Sequence, residues 1–149
     1  MLEAGASRYN LENKQRYTLG KKDKLKSRKA IEQLFKDGKS FSVFPFRVLY
    51  LEAPASGTPK NNLQTAFSVS KKHFKKAVDR NRIKRLMREA WRLQKNILAD
   101  IINTSNKNFS VFIIYTGNES PAYELIFEKI TVVIKRVFKI INETTVTNT

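Results

Sequence analysis

Apolar residues along this 149-residue chain recur with periods that change from segment to segment. Ala30, Ile31, Leu34 and Phe35 form a short helical stripe at i, i+1, i+4 and i+5. Ser27 is suited to cap its start and Gly38 to end it. Residues 41–52 (FSVFPFRVLYLE) are rich in aromatic and β-branched side chains and read as a strand pair, or one bent strand, broken at Pro45. Alternation puts Phe46, Val48 and Tyr50 on one face and Leu49 and Leu51 on the other, so both faces are apolar. Residues 53–62 (APASGTPKNN) read as a hairpin connection, and residues 63–70 (LQTAFSVS) as a further strand with Thr65, Phe67 and Val69 opposite Ala66, Ser68 and Ser70.

A long helix is expected over about Lys75 to Asp100, then a polar loop and a buried strand at 109–115 (FSVFIIY). Thr116–Pro121 read as a turn. A last amphipathic helix over Tyr123–Ile141 carries Leu125, Ile126, Ile130, Val133, Ile134, Val137 and Ile141 on its stripe. The order is α-β-β-β-α-β-α, an α/β (α+β) sandwich with helices packed on a small sheet. No repeat or internal boundary interrupts it. Residues 1–21 read as a flexible basic arm, 22–141 as the domain and 142–149 as a polar tail.

Charge changes the picture. Lys and Arg number 29 against 13 Asp and Glu, a net charge of +16. Such an excess repels itself in a compact state, so a polyanionic partner is its natural counterpart. The excess is concentrated in residues 1–30 and in residues 71–95, where eleven basic residues face two acidic ones, Asp79 and Glu89. On a helical wheel of residues 75–98, Ile83, Leu86, Met87, Ala90, Leu93 and Ile97 share one stripe. Asn81, Lys84, Arg85, Arg88, Arg92 and Lys95 gather on the opposite side. Positions one turn apart are spaced about 5.4 Å, and arginine's planar fork binds phosphate oxygens in pairs. A solvated face usually mixes signs at i,i+4, whereas here only Asp79 and Glu89 oppose eleven cations, which favours nucleic-acid binding.

Other chemistry is sparse. There is no cysteine, which removes disulfides, thiolate metal sites and a cysteine nucleophile, and suits a reducing cytoplasm. No apolar run approaches the roughly 18 residues of a membrane span, and the N-terminus lacks a signal-peptide core. A soluble cytoplasmic protein with no membrane partner is expected. His73 is the sole histidine and reads as a solvated turn residue. Trp91 lies at the border of the apolar stripe and reads as packing. The spacing of Phe35 suits core or groove, and on the residues alone it reads as core; Tyr50 suits a half-buried strand position with its hydroxyl at the rim. The aspartates are scattered without the spacing of a two-metal nuclease, so no protein-borne catalytic residue is expected.

The stretch FSVSKKHFKKAVDRNRIKRLMREAW, with its strand ending in SVSKK and its RNR-containing helix, resembles the bacterial ribonuclease P protein family. KLKSRKAIEQLFKDGKSF, FRVLY and SVFIIY extend the resemblance over about residues 22–140. It implies a four-stranded sheet with a left-handed βαβ crossover, an exception to the usual hand. It also implies a protein subunit that binds the catalytic RNA and the 5′ leader of precursor tRNA and has no obligate protein partner. The RNA and Mg²⁺, bound mainly by the RNA, would perform the endonucleolytic cleavage. Carried over by position, Arg80, Asn81, Arg82, Lys84, Arg85, Arg88 and Arg92 would contact the RNA subunit. Phe35, Tyr50, Ser70, Lys71 and Lys72 would border the leader, where an aromatic face accepts any base. Ile31 stands where relatives often carry an aromatic residue, and HFKKA lacks a glycine common after SVSKK. A ribosomal protein or RNA chaperone would share the charge, size and fold type; a protein-only nuclease is the enzymatic alternative.

Overall fold

The computed structural model describes residues 24–54, 63–105 and 107–147. The expected arm, most of the 53–62 connection and the last two residues of the expected tail lie outside them.

Helix α1 (Arg28–Asp37) begins where the Ser27 hydroxyl accepts the Ala30 amide at 3.3 Å. Gly38 ends it, its own amide bonding Leu34 O at 2.9 Å. The glycine is needed for space: a Cβ there would collide with the Leu34 carbonyl and crowd its side chain. Strands β1 (Lys39–Val43) and β2 (Phe46–Pro54) form the expected pair, turning at Phe44 and a cis Pro45.

Strand β3 (Leu63–Val69) does not complete a hairpin with β2, contrary to the sequence reading. The sheet order is β1-β2-β4-β3, with β4 (Lys107–Tyr115) antiparallel to β2 and parallel to β3. The reason lies in β4. Its continuous apolar run suits a central strand covered on both faces. A parallel β3/β4 pair then requires a crossover, supplied by two helices.

Those two helices replace the single long one expected. Helix α2 (Ala77–Gln94) stops at Lys95, and α3 (Asn96–Ser105) follows in a new phase. In one continuous helix Ile97 would join the stripe of Ile83 and Ala90. It is instead 52% exposed, while Leu98 and Ile102 are fully buried. Lys95 at the junction is itself buried, and so leaves the cation row. Helix α4 (Tyr123–Thr147) buries the expected stripe except Leu125, which is exposed, and runs six residues past the expected end at Ile141.

Two apolar clusters result, one on each face of the sheet. The larger lies between the sheet and α2, α3 and α4 and includes Phe46, Val48, Ile83, Met87, Trp91, Val111, Ile113 and Ile130. The smaller centres on Leu25, Leu34 and Leu49, with Ile31, Leu51, Ala66, Phe112 and Ile114 packed around it. The alternation read from β2 and β3 therefore holds in space. No helix among the described residues is long and apolar enough to cross a membrane.

Candidate nucleic-acid interface

Helix α2 carries the seven expected RNA-contacting residues, but the fold divides their labour. The Arg80 guanidinium donates to Phe74 O and Lys75 O, both at 2.8 Å. Phe74 is buried against Tyr115. Arg80 thus ties the end of the SVSKK connection to the first turn of the helix. Arg82 donates to Ser120 Oγ at 2.8 Å and to Pro121 O, tethering the turn that follows β4. Arg92 is held by Glu89, with N–O distances of 2.6 and 3.1 Å, and that bond raises the pKa of its guanidinium.

Asn81, Lys84, Arg85 and Arg88 are different. No hydrogen bond or ion pair among the described residues engages their side chains, and Asn81, Arg85 and Arg88 are exposed. These are the cations, with one amide, that α2 offers outward. Helix periodicity predicted the row; it could not predict which guanidiniums the loops would recruit.

The expected leader residues divide into three groups. Ser70, Lys71 and Lys72 follow β3 at one end of the sheet, where Val43, Phe46, Tyr115 and Val69 are mutually in register. Ser70 N bonds Tyr115 O at 3.3 Å, the Ser70 hydroxyl accepts the Lys72 amide at 3.2 Å, and both lysines are exposed. Phe35 projects from α1 over the opposite face from α2. It is 54% exposed and meets Phe112 edge-on, with centroids 5.2 Å apart. Tyr50 is not brought beside Phe35. It shares the face of Phe46 and Val48, packs with Phe41 at 6.0 Å and joins the edge of the larger cluster. The alternation along β2 requires this, since Tyr50 lies two and four residues from Val48 and Phe46.

The surface around Phe35 includes residues that the sequence reading missed. Arg47, Ile114 and Ser68 stand in one row across β2, β4 and β3 on the α1 face, with Leu49, Phe112 and Ala66 in the next. Arg47 is exposed, and Ile114, Phe112 and Ser68 are half-buried. Strand alternation together with the true strand order would have found this row; the assumed β2–β3 hairpin concealed it. Phe44, 75% exposed at the β1–β2 turn, stands at the same sheet end as Lys71 and Lys72. Pro45 O accepts both the amide and the hydroxyl of Thr116, at 2.8 and 3.0 Å, which fixes that turn beside the end of β4.

Among the described residues no group of three His, Asp or Glu side chains could hold a metal ion. Of the two acidic residues on α2, Glu89 is spent on Arg92. The described residues thus bring together no carboxylate cluster of the kind that holds Mg²⁺.

A four-stranded α+β sheet, a one-sign helix row and an aromatic-floored opposite face together define a small basic protein built to lie against nucleic acid. Comparison with known proteins makes this specific. The family described as Ribonuclease P matches residues 19–138. A ribonuclease P protein component of Porphyromonas gingivalis is 34% identical over 110 residues, covering 74% of this chain and 79% of that protein. One from Chlorobaculum tepidum is 38% identical over 89 residues, 59% of this chain and 58% of the relative. The RNase P protein from Thermotoga maritima superposes with a TM-score of 0.58 at 26% identity, over 76% of this chain and 96% of that one. The Staphylococcus aureus protein shares the fold, with a TM-score of 0.57 at 22% identity, over 77% and 94%. The chain belongs to the ribonuclease P protein family.

Proposed function

We propose that this chain is the protein subunit of ribonuclease P. In this reading it grips the catalytic RNA with the outward cations of α2, Lys84, Arg85 and Arg88, with Asn81 among them. It receives the single-stranded 5′ leader of precursor tRNA on the α1 face. There Phe35 and Phe112 offer stacking surface beside Arg47, while Lys71 and Lys72 at the adjoining end of the sheet draw the backbone. Phe44 extends the aromatic surface at the β1–β2 turn. Cleavage is the work of the RNA and its Mg²⁺; the protein lowers the electrostatic cost of bringing two polyanions together. Family membership over residues 19–138 carries this reading.

The test is reconstitution. Purified protein alone should leave precursor tRNA intact, and ribonuclease P RNA alone should cleave it only at high Mg²⁺. The two together should cleave at low Mg²⁺ and favour substrates that carry a leader. Cleavage by RNA-free protein would overturn the assignment, and no gain at low Mg²⁺ would point instead to a ribosomal or chaperone role.

A further inference from the structure

A notch of about 330 Å³ opens at the outer edge of β3, lined among the described residues by Lys24, Leu25, Lys26, Thr65, Ala66, Phe67 and Arg88. Its construction follows from a short sequence pattern. The chain before α1 runs alongside β3: Lys24 and Thr65 form a parallel bridge, and the Leu25 amide bonds Thr65 O at 2.9 Å. Leu25 is buried with Leu34 and Leu49. In an extended segment the two neighbours of an inward residue point away from it, so one anchoring leucine presents both lysines. Arg88 comes from α2 on the far side of the strand.

Three cations thus line one small space with no acidic residue among its described walls. No hydrogen bond or ion pair among the described residues engages any of the three side chains. Thr65, 3% exposed, forms part of the wall, and its hydroxyl has no hydrogen-bond partner among the described residues. Converging like charges repel, and an anion that bridges them turns the repulsion into attraction.

We propose that this notch is a phosphate site for the backbone of the catalytic RNA, carrying that interface from α2 around the edge of β3 onto the Lys24–Lys26 strap. The proposal rests on the function proposed above. Arg88 belongs to both surfaces, so the strand that occupies the notch is the one already lying on α2. Lys24 and Lys26 become RNA-contacting residues through their position opposite Arg88, not merely through their charge.

The full chain should be titrated against transcribed ribonuclease P RNA over a range of salt, as wild type, Lys24→Gln/Lys26→Gln, Arg88→Gln, the triple variant and Arg85→Gln. If one phosphate is held jointly, the strap double variant and Arg88→Gln each flatten the salt slope by about one unit. The triple variant then loses little more than either, because the effects on a shared contact do not add. A strap variant with wild-type affinity and slope, while Arg85→Gln weakens binding, would sink the notch and leave the subunit assignment intact. Full additivity would also overturn it, since the strap and Arg88 would then hold separate phosphates. Wild-type protein that binds this RNA no better than an unrelated RNA of equal length would remove the assignment and the notch together.

Because the chain has no cysteine, Lys26→Cys carrying a photo-crosslinker gives a second readout. Cross-linking to the catalytic RNA is expected; cross-linking only to the precursor leader, or to neither, overturns the proposal. Emission from the buried Trp91, the only tryptophan, verifies that each variant is folded.

Discussion

The Phe35 and Phe112 rings meet edge to face with centroids 5.2 Å apart, joining an exposed helical side chain to the central strand beneath it. Leu34, its neighbour in sequence, is fully buried. If the proposed leader surface is right, the two residues separate stability from recognition. Leu34→Ala should destabilise the fold by roughly 2–5 kcal/mol. Phe35→Ala should cost little stability, yet reduce affinity for leader-bearing precursor by about 1–3 kcal/mol relative to mature tRNA. Urea unfolding followed by Trp91 emission, with parallel binding titrations, checks both. Equal loss for precursor and mature tRNA would remove Phe35 from the leader surface.

Tyr50 provides the contrast. Packed with Phe41 on the other face, it should affect precursor and mature tRNA equally when changed to Ala. The same titrations, run with both RNAs at fixed Mg²⁺, decide this; selective loss of precursor binding would return Tyr50 to the leader set.

Glu89 restrains Arg92 on the basic helix α2. Glu89→Gln should raise affinity for the catalytic RNA and steepen its salt dependence, because it removes a negative charge and releases a guanidinium. The stability lost should be within about 1 kcal/mol, since the pair is partly exposed. An unchanged slope of log affinity against log salt would place Arg92 away from phosphate.

Alkaline stability follows from the tyrosines. Burial raises the pKa of Tyr115 and of Tyr123 above the usual 10.0. A tyrosine whose folded pKa is raised contributes stability that is fully present below pH 10 and is lost as pH rises through the folded value. Melting temperature should be insensitive to these groups near neutrality and fall above about pH 10. Tyr123→Phe should reduce the alkaline fall; an identical profile would mean that Tyr123 ionises equally in both states.

What the sequence made legible was periodicity. The Ser27 cap, the Pro45 break, the two faces of β2 and the α2 stripe all rest on spacings within one element, where the backbone alone dictates which side chains share a face. Strand order was not legible, because it depends on which strand best tolerates burial on both sides. From that one error followed the missed row of Arg47, Ile114 and Ser68. The break at Lys95 was hidden for a related reason: the apolar spacing of Ala90, Leu93 and Ile97 is compatible with an unbroken helix, and only packing against α4 and β4 selects Leu98. Intramolecular duties of Arg80 and Arg82 were equally invisible, since their carbonyl partners are brought within reach by the fold.

Strand β4 pairs with β2 on one side and β3 on the other, although it is made after both. During synthesis from the N-terminus, β2 and β3 therefore emerge without the partner that joins them. Helix α2, packed on β3, must wait in the same way. The basic helix leaves the ribosome while its scaffold is still incomplete, in surroundings crowded with RNA. Helix α2 also packs on α4, and Arg82 is held by Ser120 and Pro121, so the surroundings that position its arginines are complete only after the residues that follow β4 have been made.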